Sequence, residues 1–182
     1  VIELFNKTLG IIGIGNIGGQ VAKKAQGLAM NVIAYDPFLS EEKAKVAGVE
    51  KVSLQDLFKR SDFITIHTPL TPETKNMIDA TALNAMKRSA YLINISRGAL
   101  IDEAALGEAL RSGTIAGAGL DVTTEDPIPK ESPLWDLPNV LISPHNAGAS
   151  TGTYARGVEI FMRNLQRYLQ AQPLINEAAV DS

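Results

Sequence analysis

Leu9-Gly10-Ile11-Ile12-Gly13-Ile14-Gly15-Asn16-Ile17-Gly18 is an apolar run broken by three spaced glycines. Apolar residues then recur at helical spacing, at Ile17, Val21, Ala25 and Leu28. A second apolar run, Val32-Ile33-Ala34-Tyr35, ends on one acid, Asp36. This is strand, glycine turn, helix, strand and acid, a succession suited to holding a dinucleotide. Gly13 permits the tight turn, Gly15 leaves the backbone open to a pyrophosphate, and Gly18 lets helix and strand approach closely. Amides at the start of the helix, at Asn16 and Ile17, then face the phosphates. Asp36 can accept hydrogen bonds from ribose hydroxyls, and its charge repels a 2′-phosphate. The following Pro37 and Phe38 supply no arginine to reverse that preference, so the cofactor expected is NAD rather than NADP.

Beyond Asp36, apolar segments keep alternating with helical patterns, the mark of a parallel sheet covered on both faces. The strands expected are Leu9 to Ile12, Val32 to Tyr35, Phe63 to Ile66, Tyr91 to Ile95, Ile115 to Leu120 and Val140 to Ile142. Between them, helices are predicted from Ser40 to Gly48, from Ser53 to Lys59 and from Asp102 to Arg111. A closing helix runs over 151–171, with Ile160, Phe161, Leu165, Tyr168 and Leu169 as its apolar residues, followed by a frayed tail over 172–182. The fold class is α/β, a Rossmann-type doubly wound parallel sheet, forming one domain over residues 1–182.

Composition narrows the function. With 182 residues, 45% of them hydrophobic, the chain can fill one core and is short for two. The net charge of −3 and the scattered basic pairs Lys23-Lys24, Lys59-Arg60 and Lys87-Arg88 argue against nucleic acid as a partner. No apolar run reaches the roughly 20 residues that span a bilayer. The lack of cysteine fits a reducing compartment, so a cytoplasmic protein is expected. No metal is expected. The chain opens on Val1, almost on top of its first strand, which suggests a piece excised from something longer.

Nearly every apolar strand is followed by a polar residue or a tight turn. Asp36, His67-Thr68-Pro69, Ser96-Arg97, Asp121 and His145 all fall there. In an open parallel sheet those ends share one edge, where ligands bind. Arg97 offers a planar donor fork for a carboxylate or a developing alkoxide. His145 is a proton carrier near neutral pH, and either Glu125 or Asp126 could orient it. With NAD, this set describes hydride transfer at a hydroxyl-bearing carbon. Taken singly, an arginine such as Arg97 is more often an ordinary ion-pair partner, and a histidine such as His145 more often an ordinary hydrogen-bonding residue. His67 reads as a strand-end residue near the cofactor. The proline-rich segment Thr123 to Pro138 carries the only tryptophan, Trp135, which either covers the chain's own core or packs on a second subunit.

Several stretches closely resemble the NAD-binding domain of the D-isomer-specific 2-hydroxyacid dehydrogenases, and most of all the D-3-phosphoglycerate dehydrogenase branch. They are Lys7 to Gly13, Ser61 to Thr74, Leu92 to Gly98, Ala118 to Val122 and Asn139 to His145. The resemblance implies that Arg97 binds substrate, that His145 is the general acid-base and that Asp121 lies near the nicotinamide carboxamide. It further implies that Thr68, Pro69, Ser96 and Gly148 line the cofactor, and Pro37, His67, Thr74 and Ile95 are expected beside them. A homodimer through this domain is implied, with a small 2-hydroxy or 2-oxo acid as substrate. A substrate-closing domain is expected upstream of Val1.

Two positions depart from the family pattern. Asp126 stands before Pro127 where relatives usually place glutamate, shortening the reach toward His145 by one methylene. Asn146 stands where an apolar residue is common. The alternative reading is a non-catalytic NAD-sensing regulatory module. A third, formate dehydrogenase, would favour glutamine at position 126.

Overall fold

The computed structural model describes residues 2–176. Its first unit, residues 1–145, holds a seven-stranded sheet in the order β3-β2-β1-β4-β5-β6-β7. The strands are β1 (Thr8–Ile12), β2 (Asn31–Tyr35), β3 (Glu50–Lys51), β4 (Phe63–Ile66), β5 (Tyr91–Asn94), β6 (Gly117–Leu120) and β7 (Val140–Ile142). Every pairing is parallel. The helices between them are α1 (Asn16–Gly27), α2 (Glu41–Ala47), α3 (Leu54–Arg60), α4 (Ala80–Ala85) and α5 (Glu103–Arg111). The order turns back at β1, so the glycine turn opens at the topological switch point.

Alternation along the strands supplies both faces of the sheet. Leu9 and Ile11 of β1, with Val32 and Ala34 of β2, pack with Ala22 and Ala25 of α1 and Ala44 of α2. Ile12, Ile33, Ile64, Ile66 and Leu92 enter the larger cluster with Leu57, Leu83, Leu106 and Leu110 from α3, α4 and α5. Residues two apart share a face and neighbours do not, so β1 and β2 feed both layers.

Helix starts follow local chemistry. Ser40 Oγ accepts from the Lys43 amide, Ser53 Oγ from the Asp56 amide at 3.1 Å, and Asp102 Oδ1 from the Ala105 amide at 3.1 Å. Gly48 ends α2 in the left-handed region at φ 66°.

Three elements differ from the sequence reading. The sheet has seven strands rather than six, because β3 is a two-residue edge pairing of Glu50 and Lys51 with Ile33 and Ala34 and carries no apolar signal. Helix α4, capped by Asp79, was not predicted; its buried residues are only Ala82 and Leu83. The inward face of α1 is Gly18, Ala22 and Ala25, whereas Ile17 and Leu28 are 63% and 55% exposed. The cause is proximity: a Cβ built on Gly18 would stand 2.1 Å from the Gly13 carbonyl oxygen. Only a stripe of small residues fits so near β1.

The second unit, residues 146–182, contains α6 (Thr153–Leu169) and the segment after it. Asn164 holds that segment at both ends of one residue: its Nδ2 donates to the Ile175 carbonyl at 2.9 Å, and its Oδ1 accepts from the Ile175 amide at 2.7 Å. No residue of α6 is buried. Most of the expected tail, 177–182, lies outside the described residues. Among the described residues, no helix is long and apolar enough to cross a membrane.

Gly18→Ala is expected to lower stability by about 1–3 kcal/mol through overpacking. Gly19→Ala, where an added Cβ meets nothing within 4 Å, should raise it by roughly 0.5–1 kcal/mol. Urea midpoints of the two variants check this contrast, and equal midpoints would refute the close-approach account.

Candidate active site

The registers carry six of the seven strands to one common row. Ile12, Ile66, Asn94, Leu120 and Ile142 are successive partners across the sheet, with Tyr35 beside Ile12. The next residues are Gly13, Asp36, His67, Ile95, Asp121 and Ser143. Four of these continue the ladder by one bond each. The Gly13 amide donates to the Tyr35 carbonyl at 2.9 Å, His67 to Ile12 at 2.7 Å, Asp121 to Asn94 at 2.9 Å and Ser143 to Leu120 at 2.9 Å. Asp36, His67 and Asp121 thus share one rim, and Arg97 and His145 follow two residues after Ile95 and Ser143.

At the switch point, Gly13 has φ +90°, and a Cβ there would lie 2.8 Å from the His67 carbonyl carbon and oxygen. A Cβ on Gly15 meets nothing within 4 Å. The space above Gly15 is therefore open, and α1 begins there with no side-chain cap, leaving its first-turn amides for an anion. Asp36 spans the turn. Its Oδ2 accepts from the Ile14 amide at 3.0 Å and its Oδ1 from the Phe38 amide at 2.8 Å. A carboxylate has about four acceptor directions, so both oxygens retain capacity for ribose hydroxyls.

A crevice of ≈ 660 Å³ opens on this turn, within the range of about 300–1,000 Å³ typical of ligand sites. Gly13, Gly15, Asp36, Pro37, His67, Thr68, Pro69 and Thr74 line it, as do Leu54 and Met77. Leu54 and Met77 escaped the sequence reading because an apolar residue at a helix start or in a loop carries no distinctive signal. Thr74 uses its hydroxyl on the loop itself, donating to the Pro69 carbonyl at 2.8 Å. His67 Nε2 lies 3.0 Å from Thr65 Oγ1. Its Nδ1 is the single buried side-chain polar atom without a hydrogen-bond partner among the described residues, and burial holds the His67 pKa below its ordinary value. An orphaned buried nitrogen on a crevice wall is what a bound molecule would satisfy.

The other end of the rim gathers Arg97, Asp121, Asp126 and His145. Asp121 is buried and accepts from Ser143 Oγ at 2.6 Å. His145 stands at φ +50°, an uncommon conformation for a non-glycine residue, and its Nδ1 is hydrogen-bonded to Asp126 Oδ2. Asp126, and not Glu125, makes that contact, so the shorter side chain reaches. Arg97 is exposed, and its Nη1 donates to the Ser96 carbonyl at 2.7 Å. Among the described residues it joins no ion pair, unlike Arg60, Arg111 and Arg163. The backbones behind these groups touch: a Cβ on Gly98 would stand 2.0 Å from the Thr123 carbonyl. A cavity of ≈ 320 Å³ lies beside Asp121, Asp126, Ser143 and Trp135.

Asn16 and Ile17 are exposed at the start of α1, Ser96 donates from Oγ to the Ile66 carbonyl at 2.7 Å, and Ile95 is half-buried. Gly148 belongs to the second unit, where its carbonyl accepts from Thr153 Oγ1 at 3.1 Å. Trp135 is 52% exposed and donates from Nε1 to the Pro129 carbonyl at 2.9 Å, while its neighbour Leu134 is buried in the larger core cluster.

Comparison with known proteins matches residues 1–147 to the family description "D-isomer specific 2-hydroxyacid dehydrogenase, NAD binding domain". A glyoxylate reductase of Korarchaeum cryptofilum is 44% identical over 181 residues, covering 98% of this chain and 54% of the relative. A D-3-phosphoglycerate dehydrogenase of Methanocaldococcus jannaschii is 52% identical over 151 residues, covering 82% of this chain and 28% of the relative. Among solved structures, D-lactate dehydrogenase with NAD+ from Lactobacillus jensenii superposes with a TM-score of 0.89 at 32% identity, covering 98% of this chain and 57% of that one. The chain therefore spans about half, or less, of the relatives it matches.

Because His67 binds its proton less readily when folded than in the open chain, its contribution to stability is present above about pH 6.5 and is lost as pH falls below it. Urea midpoints at pH 7.5 and 5.5 should fall for the wild type on acidification and fall less for His67→Gln. An identical pH dependence in the variant would contradict a buried neutral imidazole.

Proposed function

The chain belongs to the D-isomer specific 2-hydroxyacid dehydrogenases as their NAD-binding domain, and on that premise we propose that it serves a dehydrogenase interconverting a small 2-hydroxy acid and the corresponding 2-oxo acid. 3-Phosphoglycerate, or hydroxypyruvate and glyoxylate, are the substrates of choice. One observation carries the reading: a paired Asp126–His145 and a guanidinium that among the described residues joins no carboxylate stand at the same sheet edge as the dinucleotide crevice.

NAD, when bound, supplies the site that accepts or gives up the hydride. The first-turn amides beyond Gly15 would hold its phosphates, Asp36 would take the ribose hydroxyls and disfavour a 2′-phosphate, and Asp121 would lie toward the carboxamide. Asp126 fixes the His145 tautomer with the proton on Nδ1, which leaves Nε2 toward the substrate. In reduction His145 donates a proton from Nε2 to the oxo-group oxygen; in oxidation it takes the hydroxyl proton back. Arg97 grips the substrate carboxylate in a two-pronged contact.

A second domain closes over this site and excludes water, the segment 151–171 serving as the helix that returns toward it. This domain alone should bind cofactor and turn over poorly. We further propose a cytoplasmic homodimer, with Trp135 at the contact, since Leu134 rather than Trp135 is the residue buried in the core. The named relatives are dehydrogenases or reductases and lend no support to the regulatory alternative.

Fluorescence titration with NADH should saturate, and Asp36→Ala should weaken it about tenfold, the worth of one or two lost hydrogen bonds. Equal affinity of the variant would remove Asp36 from the site. With the substrate-closing domain present, His145→Gln should cost about 10²–10⁴ in turnover of 2-oxo acids; full activity would sink the acid-base assignment. Sedimentation of Trp135→Ala should show dissociation, and an unaltered dimer would exclude that contact.

A further inference from the structure

Asn94 is a polar residue in an apolar run, Leu92-Ile93-Asn94-Ile95, at the end of a central strand, and it is 0% exposed. Burying a carboxamide is unfavourable unless both its ends are satisfied. Here both are, and both by the turn that follows. Nδ2 donates to the Arg97 carbonyl at 2.8 Å, and Oδ1 accepts from the Ser96 amide at 3.0 Å. None of these bonds serves the sheet, which uses only the Asn94 backbone, its carbonyl accepting from the Asp121 amide at 2.9 Å.

Two further anchors act on the same turn. Ser96 Oγ ties it to the end of β4 through the Ile66 carbonyl, and the absence of a side chain at Gly98 lets it lie against the Thr123 carbonyl. Held from three directions, the backbone of Arg97 has one course, while its side chain stays exposed and, among the described residues, joins no carboxylate.

Resting on the reading of Arg97 as the substrate clamp, we propose that Asn94 is a positioning residue that aims Arg97 at the carboxylate of the substrate. The chemistry is specific to asparagine. Aspartate would set an anionic oxygen against the Arg97 carbonyl, leucine would satisfy neither partner, and glutamine would be one methylene too long. Misplacing a binding group by about 1 Å costs up to about a hundredfold in rate, so a residue that touches no substrate can still govern its use.

The test is steady-state kinetics with glyoxylate and hydroxypyruvate in the enzyme with its substrate-closing domain present, together with NADH affinity and the thermal midpoint. Asn94→Ala and Asn94→Asp are expected to lower kcat/KM for the oxo acid by about tenfold to a hundredfold, mainly through KM, with NADH affinity within about twofold of wild type. In an Arg97→Gln background the same Asn94 change should cost less than about twofold, because groups that act through one another are not additive. Equal losses in both backgrounds, or parallel losses of NADH and oxo-acid binding, would overturn the proposal as a general loosening of the fold. If Asn94→Ala does not fold, Asn94→Asp, which keeps the shape and the acceptor for the Ser96 amide, carries the comparison. Unchanged kcat/KM in Arg97→Gln alone would strike instead at the reading of Arg97, and the proposal would fall with it.

Discussion

Parallel hydrogen bonding in register is the constraint from which the site follows. Because Ile12, Ile66, Asn94, Leu120 and Ile142 lie across from one another, the residue after each of them must emerge at the same edge. Distant stretches of sequence thereby meet at one edge. Two apolar layers lock that register, since a slip by one residue would turn Ile11 and Ile12 to each other's faces.

Close approach is the second consequence. The Gly13 carbonyl sits where a Gly18 Cβ would be, and Gly13 itself fits under the His67 carbonyl only without a side chain. Packing and ligand binding make opposite use of glycine here. Gly13 and Gly18 are filled against by the protein, whereas Gly15 faces open space. Asp36 joins the two purposes, because the carboxylate suited to ribose hydroxyls also holds the Ile14 amide and so the shape of the turn.

At the far end of the rim, polar side chains do the arranging, from the buried Asn94 to the exposed Asp126. Ser143 braces Asp121, Asp126 braces His145, and Asn94 braces the Arg97 turn. An aspartate carries one methylene fewer than a glutamate, yet the Asp126–His145 pairing forms.

The sequence by itself determined whatever depends on neighbours along the chain: the glycine turn, the acid at the tip of β2, six of the strands, and the helix starts at Ser40, Ser53 and Asp102. Those features rest on periodicity and on side chains bonding amides two or three residues away, which local order suffices to specify. Tertiary structure alone decided the rest. The choice of Asp126 over Glu125, the exposure of Trp135, the small-residue face of α1, the edge strand at Glu50 and the use of Asn94 each depend on distances between segments far apart in sequence. Apolar spacing at Ile17, Val21, Ala25 and Leu28 marked α1 as a helix, and only the nearness of β1 shows that Ile17 and Leu28 lie outside its inward face.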